Sequence, residues 1–216
     1  MSPPYRPRVL LADDHLLVAE ALKSLLTPEF DLVAVVEDGY ALVEAAGRLR
    51  PDVIVADVTM PHLNGIDALV RLRQGGDQVP VVFLTMHRDV TFARRALEAG
   101  ASGFVLKHSA PAELIAALRA ALQGKTYLTP QLAGEVLEAM KKGPDRAADP
   151  IASITPRQRE VLHLLAEGRS AKEIASSLAI SARTVEFHKY QMMETLGLHT
   201  NAELIHFAIK HGLVEL

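Results

Sequence analysis

A doubly wound, five-stranded parallel α/β sheet followed by a small all-α domain is the fold this sequence predicts. Three observations predict it. Short β-branched runs alternate five times with longer stretches whose apolar residues recur at spacings of three and four, the mark of a parallel sheet covered on both faces. A stretch rich in Gly, Pro, Ala and charge, KKGPDRAADPIAS from Lys141, has no apolar period and reads as a linker. Beyond Thr155 only helical patterns remain.

In chain order, the expected strands are Arg8 to Ala12, Leu32 to Val36, Val53 to Asp57, Val81 to Thr85 and Gly103 to Lys107. Runs such as VLLA, VIVA and VVFL are near-continuously apolar, as buried parallel strands are. Leu16, Leu17, Ala21, Leu22, Leu25 and Leu26 give the first helix its face, and Ala41, Leu42, Ala45, Ala46 and Leu49 the second. The fifth helix begins at Pro111, where proline suits the first turn, and stops at Gly124. One more helix is expected from about Pro130 to Lys142. The resulting division is residues 1–124 for the α/β domain, 125–150 for a linker carrying that helix, and 151–216 for the helical domain.

Composition narrows the function classes. The chain has 216 residues, 49% apolar and 5% aromatic, so each domain can bury a core. Lys plus Arg number 23 against 26 Asp plus Glu, a formal charge of -3, so no global basic excess announces a polyanionic partner. The absence of cysteine excludes disulfides, thiolate metal sites and thiol nucleophiles. No run approaches the length of a membrane span or a signal segment, which leads to the expectation of a soluble cytoplasmic protein.

In an open parallel sheet, side chains at the carboxyl ends of the strands converge on one crevice. This sequence sends polar groups there: Asp13 and Asp14 after strand one, Asp57 ending strand three, Thr85 ending strand four and Lys107 ending strand five. Taken singly, Asp13, Asp14 or Thr85 reads as a helix cap and Lys107 as a snorkelling side chain. Five such residues on four strands of one sheet read instead as a site. Crowded carboxylates with no Cys or His among them suit Mg²⁺, and a carboxylate can accept a phosphoryl group whose charge a lysine and a hydroxyl then spread.

LLADDH, then D-V-T-M-P-H-L-N-G from Asp57 to Gly65, then LTMH and GFVLK, resemble a response-regulator receiver domain, a flavodoxin-like fold, over residues 8 to 124. The resemblance implies that Asp57 is the phosphoacceptor and that Asp13, Asp14 and Asp57 hold Mg²⁺ with the Thr59 backbone carbonyl. It further implies that Lys107 pairs with the phosphoryl oxygens and that Thr85 and Phe104 form the switch pair. Thr59 and His87 correspond to positions flanking the path of the attacking water, which bulky His87 is expected to limit. Receivers commonly follow the lysine with a proline in cis. Here His108 follows, and a cis bond before a non-proline residue costs about 2.5 to 4 kcal/mol.

In the second domain, Thr155 followed by Pro156 reads as a cap with proline at the first helical position, supported by Glu or Gln near the third. Two helices joined by a Gly-containing turn follow, and Ser181 opens another from about Ala182 to Leu196. Periodicity alone fits an ordinary bundle equally well. E-V-L-x-L-x-A-x-G-x-S-x-K-E-I-A-x-x-L-x-I-S-x-x-T-V-E-F-H-K from Glu160 to Lys189 resembles the LuxR-type helix-turn-helix domain. The match implies that the helix from Ala182 enters the major groove. Lys172, Arg183, Thr184 and Lys189 are expected to meet phosphates, while Glu186, Phe187, Lys189 and Tyr190 are expected to face base edges or the groove floor. Val185 and His188 read as core or core edge. Relatives carrying TVEFHK often have basic residues where Gln191, Thr195 and Asn201 stand. Seven basic and seven acidic residues between Ile151 and Leu216 make a charge-neutral head, which favours DNA binding as a dimer. The apolar stripe Leu204, Ile205, Ala208 and Ile209 reads as either dimer surface or core.

Together the two domains resemble a two-component response regulator of the NarL/FixJ type. The resemblance implies a phosphoprotein that regulates transcription, with a sensor histidine kinase and promoter DNA as partners, a homodimer on activation, RNA polymerase as a further contact at the promoter, and no membrane partner. It implies no enzymatic role beyond the protein's own phosphoryl transfer and dephosphorylation. The rival is an atypical regulator whose receiver is a phosphorylation-independent protein-interaction module, against which the intact acid, threonine and lysine set argues. An aspartate-nucleophile phosphatase would want an acid two residues beyond the nucleophile, where Thr59 stands.

Overall fold

The strand runs predicted above form a parallel sheet because their side chains are apolar on both faces and each face has helices to cover it. The computed structural model describes residues 5–86, 90–109, 111–141, 150–211 and 213–214, and divides into two units, residues 1–143 and 144–216. The first unit runs β1 (Arg8–Ala12), α1 (Leu16–Leu26), β2 (Asp31–Val36), α2 (Gly39–Leu49), β3 (Val53–Ala56), α3 (Gly65–Gln74), β4 (Val81–Thr85), α4 (Val90–Glu98), β5 (Gly103–Leu106), α5 (Pro111–Leu122), β6 (Tyr127–Leu128) and α6 (Pro130–Lys141). The sheet order is β2-β1-β3-β4-β5-β6, and every pairing is parallel.

Alternate residues of each strand serve opposite cores. Leu10, Ile54, Phe83 and Phe104 meet α2, α3, α4 and α6, while Val9, Val55, Val82 and Val105 meet α1 and α5. The chain leaves β1 toward β2 on one side and β3 on the other, so the crevice between the carboxyl ends of β1 and β3 is the topological switch point.

The expectation of five strands is corrected to six. β6 is only Tyr127–Leu128, pairing Gly103 with Tyr127 and Phe104 with Leu128, and two residues carry no readable alternation. The assignment of 125–150 to a linker changes with it. Leu132 and Val136 of α6 are buried in the same core as Phe92, Ala93, Ala96 and Phe104, and α6 packs on α4. Burying a Leu or Val side chain contributes about 1.5 to 3 kcal/mol, so α6 belongs to the α/β unit. The rest of the expected linker, 142–149, lies outside the described residues.

The second unit has a 3₁₀ turn (Pro150–Ser153) and helices α7 (Pro156–Ala166), α8 (Ala171–Ser177), α9 (Ala182–Leu196) and α10 (Asn201–Lys210). Thr155 with Gln158, Ser170 with Glu173 and Thr200 with Glu203 form reciprocal capping boxes for α7, α8 and α10. Ser181 Oγ accepts from Thr184 N at 3.0 Å to cap α9. Arg157 joins α7 to the end of α8 by pairing with Glu160 at 2.6 Å and donating to the Leu178 carbonyl at 2.6 Å. α10 packs on α7 and buries Leu204 and Ala208, so the stripe read as dimer surface or core is core at those two positions. Among the described residues no helix is long and apolar enough to cross a membrane.

Candidate functional site

The loop after β3 carries Asp57 and is shaped by Gly65. A Cβ on Gly65 would lie 2.0 Å from the Asp57 carbonyl oxygen, so only glycine lets α3 start this close to the strand. Gly65 N donates to the Val58 carbonyl at 2.9 Å, and Asn64 caps α3 by accepting from Asp67 N at 2.9 Å. The β1 end is fixed by Asp57 N donating to the Ala12 carbonyl at 2.8 Å, and the β5 end by Lys107 N donating to the Thr85 carbonyl at 2.8 Å.

These backbone ties bring the expected residues together. Lys107 Nζ lies 2.5 Å from Asp57 Oδ2 and 2.8 Å from Asp13 Oδ2, and Asp57 Oδ1 accepts from Thr59 N at 3.4 Å. Asp13, Asp57, Thr59 and Thr85 are buried. Burial pushes the Asp57 carboxyl up to about 6, against the lowering effect of Lys107. Burial alone would lower the Lys107 ammonium, but Asp57 and Asp13 outweigh it and hold it above its ordinary value. At neutral pH Asp57 is therefore mostly a carboxylate, hydrogen-bonded to an ammonium.

Neither Asp13 nor Asp14 caps α1. The N-cap is His15, whose side chain makes no cap bond, while Asp13 Oδ1 accepts from His15 N at 3.0 Å. His15 Nδ1 approaches Asp14 Oδ1 to 3.1 Å without hydrogen-bond alignment, so Asp14 Oδ1 is buried with no hydrogen-bond partner. One ligand atom from each of Asp13, Asp14, His15 and Asp57 lies within 4.8 Å of the others. Sequence reasoning passed over His15, although it directly follows the two aspartates. Three convergent carboxylates, one with an orphaned buried oxygen, fit a hard divalent cation, which uses oxygen ligands.

Phe104 is fully buried, its ring centroid 6.5 Å from that of Phe83. Among the described residues there are no cis peptide bonds, so Lys107 and His108 join in trans. His87 lies outside the described residues.

In the second unit, the turn between α8 and α9 passes through Ala179 at φ 52°. Lys172 on α8 and Arg183 on α9 are exposed. Thr184 is half-buried, its hydroxyl 2.8 Å from Ser181 Oγ. Phe187 and Tyr190 are 56% and 63% exposed, with Glu186 beside them. Lys189 sits deeper than these neighbours. Together with Val185 and Met192 it lies on the buried stripe of α9, 8% exposed as a residue. Its ammonium is 2.5 Å from Glu186 Oε2 and 5.0 Å from the Tyr190 ring centroid. A lysine four residues after Val185 and three before Met192 faces inward by helical spacing, and its aliphatic stem fills that place while its head reaches the edge. Val185 is buried and His188 half-buried, with His188 Nδ1 buried and lacking a hydrogen-bond partner.

A carboxylate crevice at the switch point of a doubly wound sheet, carried on one chain with a helix-turn-helix unit, defines a two-domain regulatory protein. Residues 9–119 match the response regulator receiver domain, and residues 152–208 match the luxR family of bacterial regulatory proteins. The chain belongs to the DNA-binding response regulators, in which phosphorylation-dependent regulation is the norm. It is 36% identical to the transcriptional regulatory protein MctR of Rhizobium johnstonii, over 96% of this chain and 95% of that one. RcsB of Salmonella enterica serovar Typhimurium, solved bound to a promoter in the presence of a phosphomimetic beryllofluoride, is similar with a TM-score of 0.58 and 29% identity, over 94% of this chain and 98% of that one. A structure of two RcsB dimers bound to two parallel DNAs has a TM-score of 0.58 and 26% identity, over 96% of this chain and 99% of that one.

Proposed function

We propose that Asp57 accepts a phosphoryl group from the phosphohistidine of a sensor histidine kinase, and that this modification controls promoter binding by α9 in the cytoplasm. The observation that carries the reading is the convergence of Asp13, Asp14, Asp57, Thr85 and Lys107 on one crevice, with the Lys107 ammonium on the Asp57 carboxylate. An Asp57 oxygen bonds to phosphorus as the P–N bond breaks, and the electron pair stays on the imidazole nitrogen, which takes up a proton. Lys107 then exchanges its bond to Asp57 for one to the phosphoryl oxygens, and the Thr85 hydroxyl donates to another of them. Asp13, Asp14, Asp57 and the Thr59 backbone carbonyl would hold Mg²⁺, which when bound neutralises the crowded oxygens and withdraws charge from the phosphoryl group. Thr85 and Phe104 carry the change outward.

At the DNA, Lys172, Arg183 and Thr184 meet phosphates, while Glu186, Phe187 and Tyr190 face base edges. The neutral head favours a homodimer on activation, a reading supported by the dimers in the RcsB complex. RNA polymerase is the further partner that promoter binding brings within reach.

The test is Asp57→Asn and Asp14→Ala treated with Mg²⁺ and phosphoramidate, with intact mass and promoter binding followed together. The wild type should gain one phosphoryl group and tighter DNA binding. Asp57→Asn should gain neither, and Asp14→Ala should fold yet lose Mg²⁺-dependent labelling. A full-stoichiometry adduct on Asp57→Asn overturns the assignment.

A further inference from the structure

Thr129 stands between the crevice and α6, and nothing in the phosphoryl-transfer chemistry requires it. Its side chain is fully buried at the junction of β6 and α6. Thr129 N donates to the Phe104 carbonyl at 3.0 Å. Thr129 Oγ1 accepts from Leu106 N at 3.2 Å and lies 3.5 Å from the same Phe104 carbonyl. The hydroxyl therefore grips β5 at two points, and the next residue along the strand is Lys107. On the other side of β5, Lys107 N is held by the Thr85 carbonyl. The end of β5 is clamped between the β4 residue that meets the phosphoryl group and a threonine that starts a helix.

The Thr129 carbonyl completes the connection. It accepts from Leu132 N at 2.9 Å and Ala133 N at 3.2 Å, the first turn of α6. Leu132 and Val136 sit in the core that contains Phe104 and Leu106. α6 is thus joined by hydrogen bonds and by packing to the strand that carries the switch phenylalanine and ends at the phosphoryl-pairing lysine. Among the described residues it is also the last element of the first unit.

We infer that Thr129 is a positioning residue: it sets the end of β5 that aims Lys107 at Asp57, and it transmits displacement of that end into α6. The inference rests on the proposed phosphorylation of Asp57. An apolar side chain would fill the same space but leave the buried Leu106 N–H without an acceptor. The use of a hydroxyl that accepts from one β5 peptide and reaches the carbonyl of another is what a positional constraint requires.

The experiment uses the full chain. Thr129→Val keeps the shape and removes the acceptor, and Thr129→Ser restores it. With phosphoramidate and Mg²⁺, Thr129→Val should be phosphorylated about fivefold more slowly at saturating donor, the rate equivalent of one ordinary hydrogen bond. The donor concentration giving half-maximal rate should be unchanged, and Thr129→Ser should recover most of the rate. Hydrogen exchange with and without Mg²⁺ and beryllofluoride supplies the second readout. In the wild type, the Leu106 amide and the α6 amides from Leu132 onward should change protection together. In Thr129→Val the α6 response should be lost.

If the wild type takes up no phosphoryl group, both the functional reading and the inference fall. If the wild type is labelled but Thr129→Val matches its rate and keeps the α6 response, the inference alone falls. Should Thr129→Val not fold, the wild-type exchange measurement decides, and a Leu106 change with unchanged α6 amides overturns the inference.

Discussion

The Lys107 ammonium lies 2.5 Å from Asp57 Oδ2 on a side chain only 7% exposed, so a protein cation occupies the carboxylate that a metal would share. Lys107→Ala removes that competitor from both Asp57 and Asp13. Its Mg²⁺ affinity, measured by titration calorimetry, should rise about tenfold, little more than 1 kcal/mol of relieved repulsion, while phosphorylation slows. Unchanged or weaker Mg²⁺ binding would show that Lys107 and the metal use separate oxygens.

The DNA-reading unit should show a sharp division among its cations. Lys172 and Arg183 are exposed, and among the described residues neither has an ion-pair partner. On a mixed-sequence duplex, Lys172→Ala and Arg183→Ala should each make the log-log salt dependence shallower by about one per head. Lys189→Ala should leave that slope nearly unchanged, because Glu186 already neutralises the ammonium, and instead lower thermal stability by about 1 to 3 kcal/mol through its lost stem. Equal slope changes for all three variants would place Lys189 on phosphate.

Ala179 holds φ at 52° in the turn between α8 and α9, a conformation that suits glycine better than alanine. Ala179→Gly should stabilise the helical unit by about 1 kcal/mol. Thermal melting of the two proteins provides the comparison, and a lower midpoint for the glycine variant would contradict it.

Capping predicts an acid dependence. Hydrogen bonds from Ser170 hold Glu173 below the ordinary value of 4.5, and those from His199 and Thr200 do the same for Glu203. A carboxylate whose folded pKa is depressed contributes stability above its unfolded pKa and loses it as pH falls through the folded value. The double variant Glu173→Gln, Glu203→Gln should melt below the wild type near neutral pH, and the gap should close as pH falls below the ordinary value of 4.5 and through the depressed folded values. A gap constant across that range would show that the caps do not depend on charge.

Much of this molecule is legible because its signals are repetitive. VLLA, VIVA and VVFL can be nothing but buried strands when each is followed by a helical spacing, and the polar residues at their ends stand out against them. β6 has no such signal, since Tyr127 and Leu128 become a strand only because β5 offers an open edge. α6 was readable as a helix but not as part of the sheet's cover, because Leu132 and Val136 form a face only one turn long. The inward place of Lys189 on α9 follows from its spacing from Val185 and Met192, a signal that its charge obscures. Contact between His15 and the two preceding carboxylates depends on an N-cap whose side chain turns away from its own helix, which spacing cannot show.

The short β6 strand also governs how molecules of this chain meet one another when partly unfolded. An open strand edge is a template for the backbone of another molecule. On the β5 side that template is taken up by Tyr127, Leu128 and the two Thr129 hydrogen bonds. The other border of the sheet is β2, whose Val35 is 42% exposed. The β2 border, with the longer run of unpaired backbone, is therefore the larger target for strand addition, and a charge placed at Val35 would guard it.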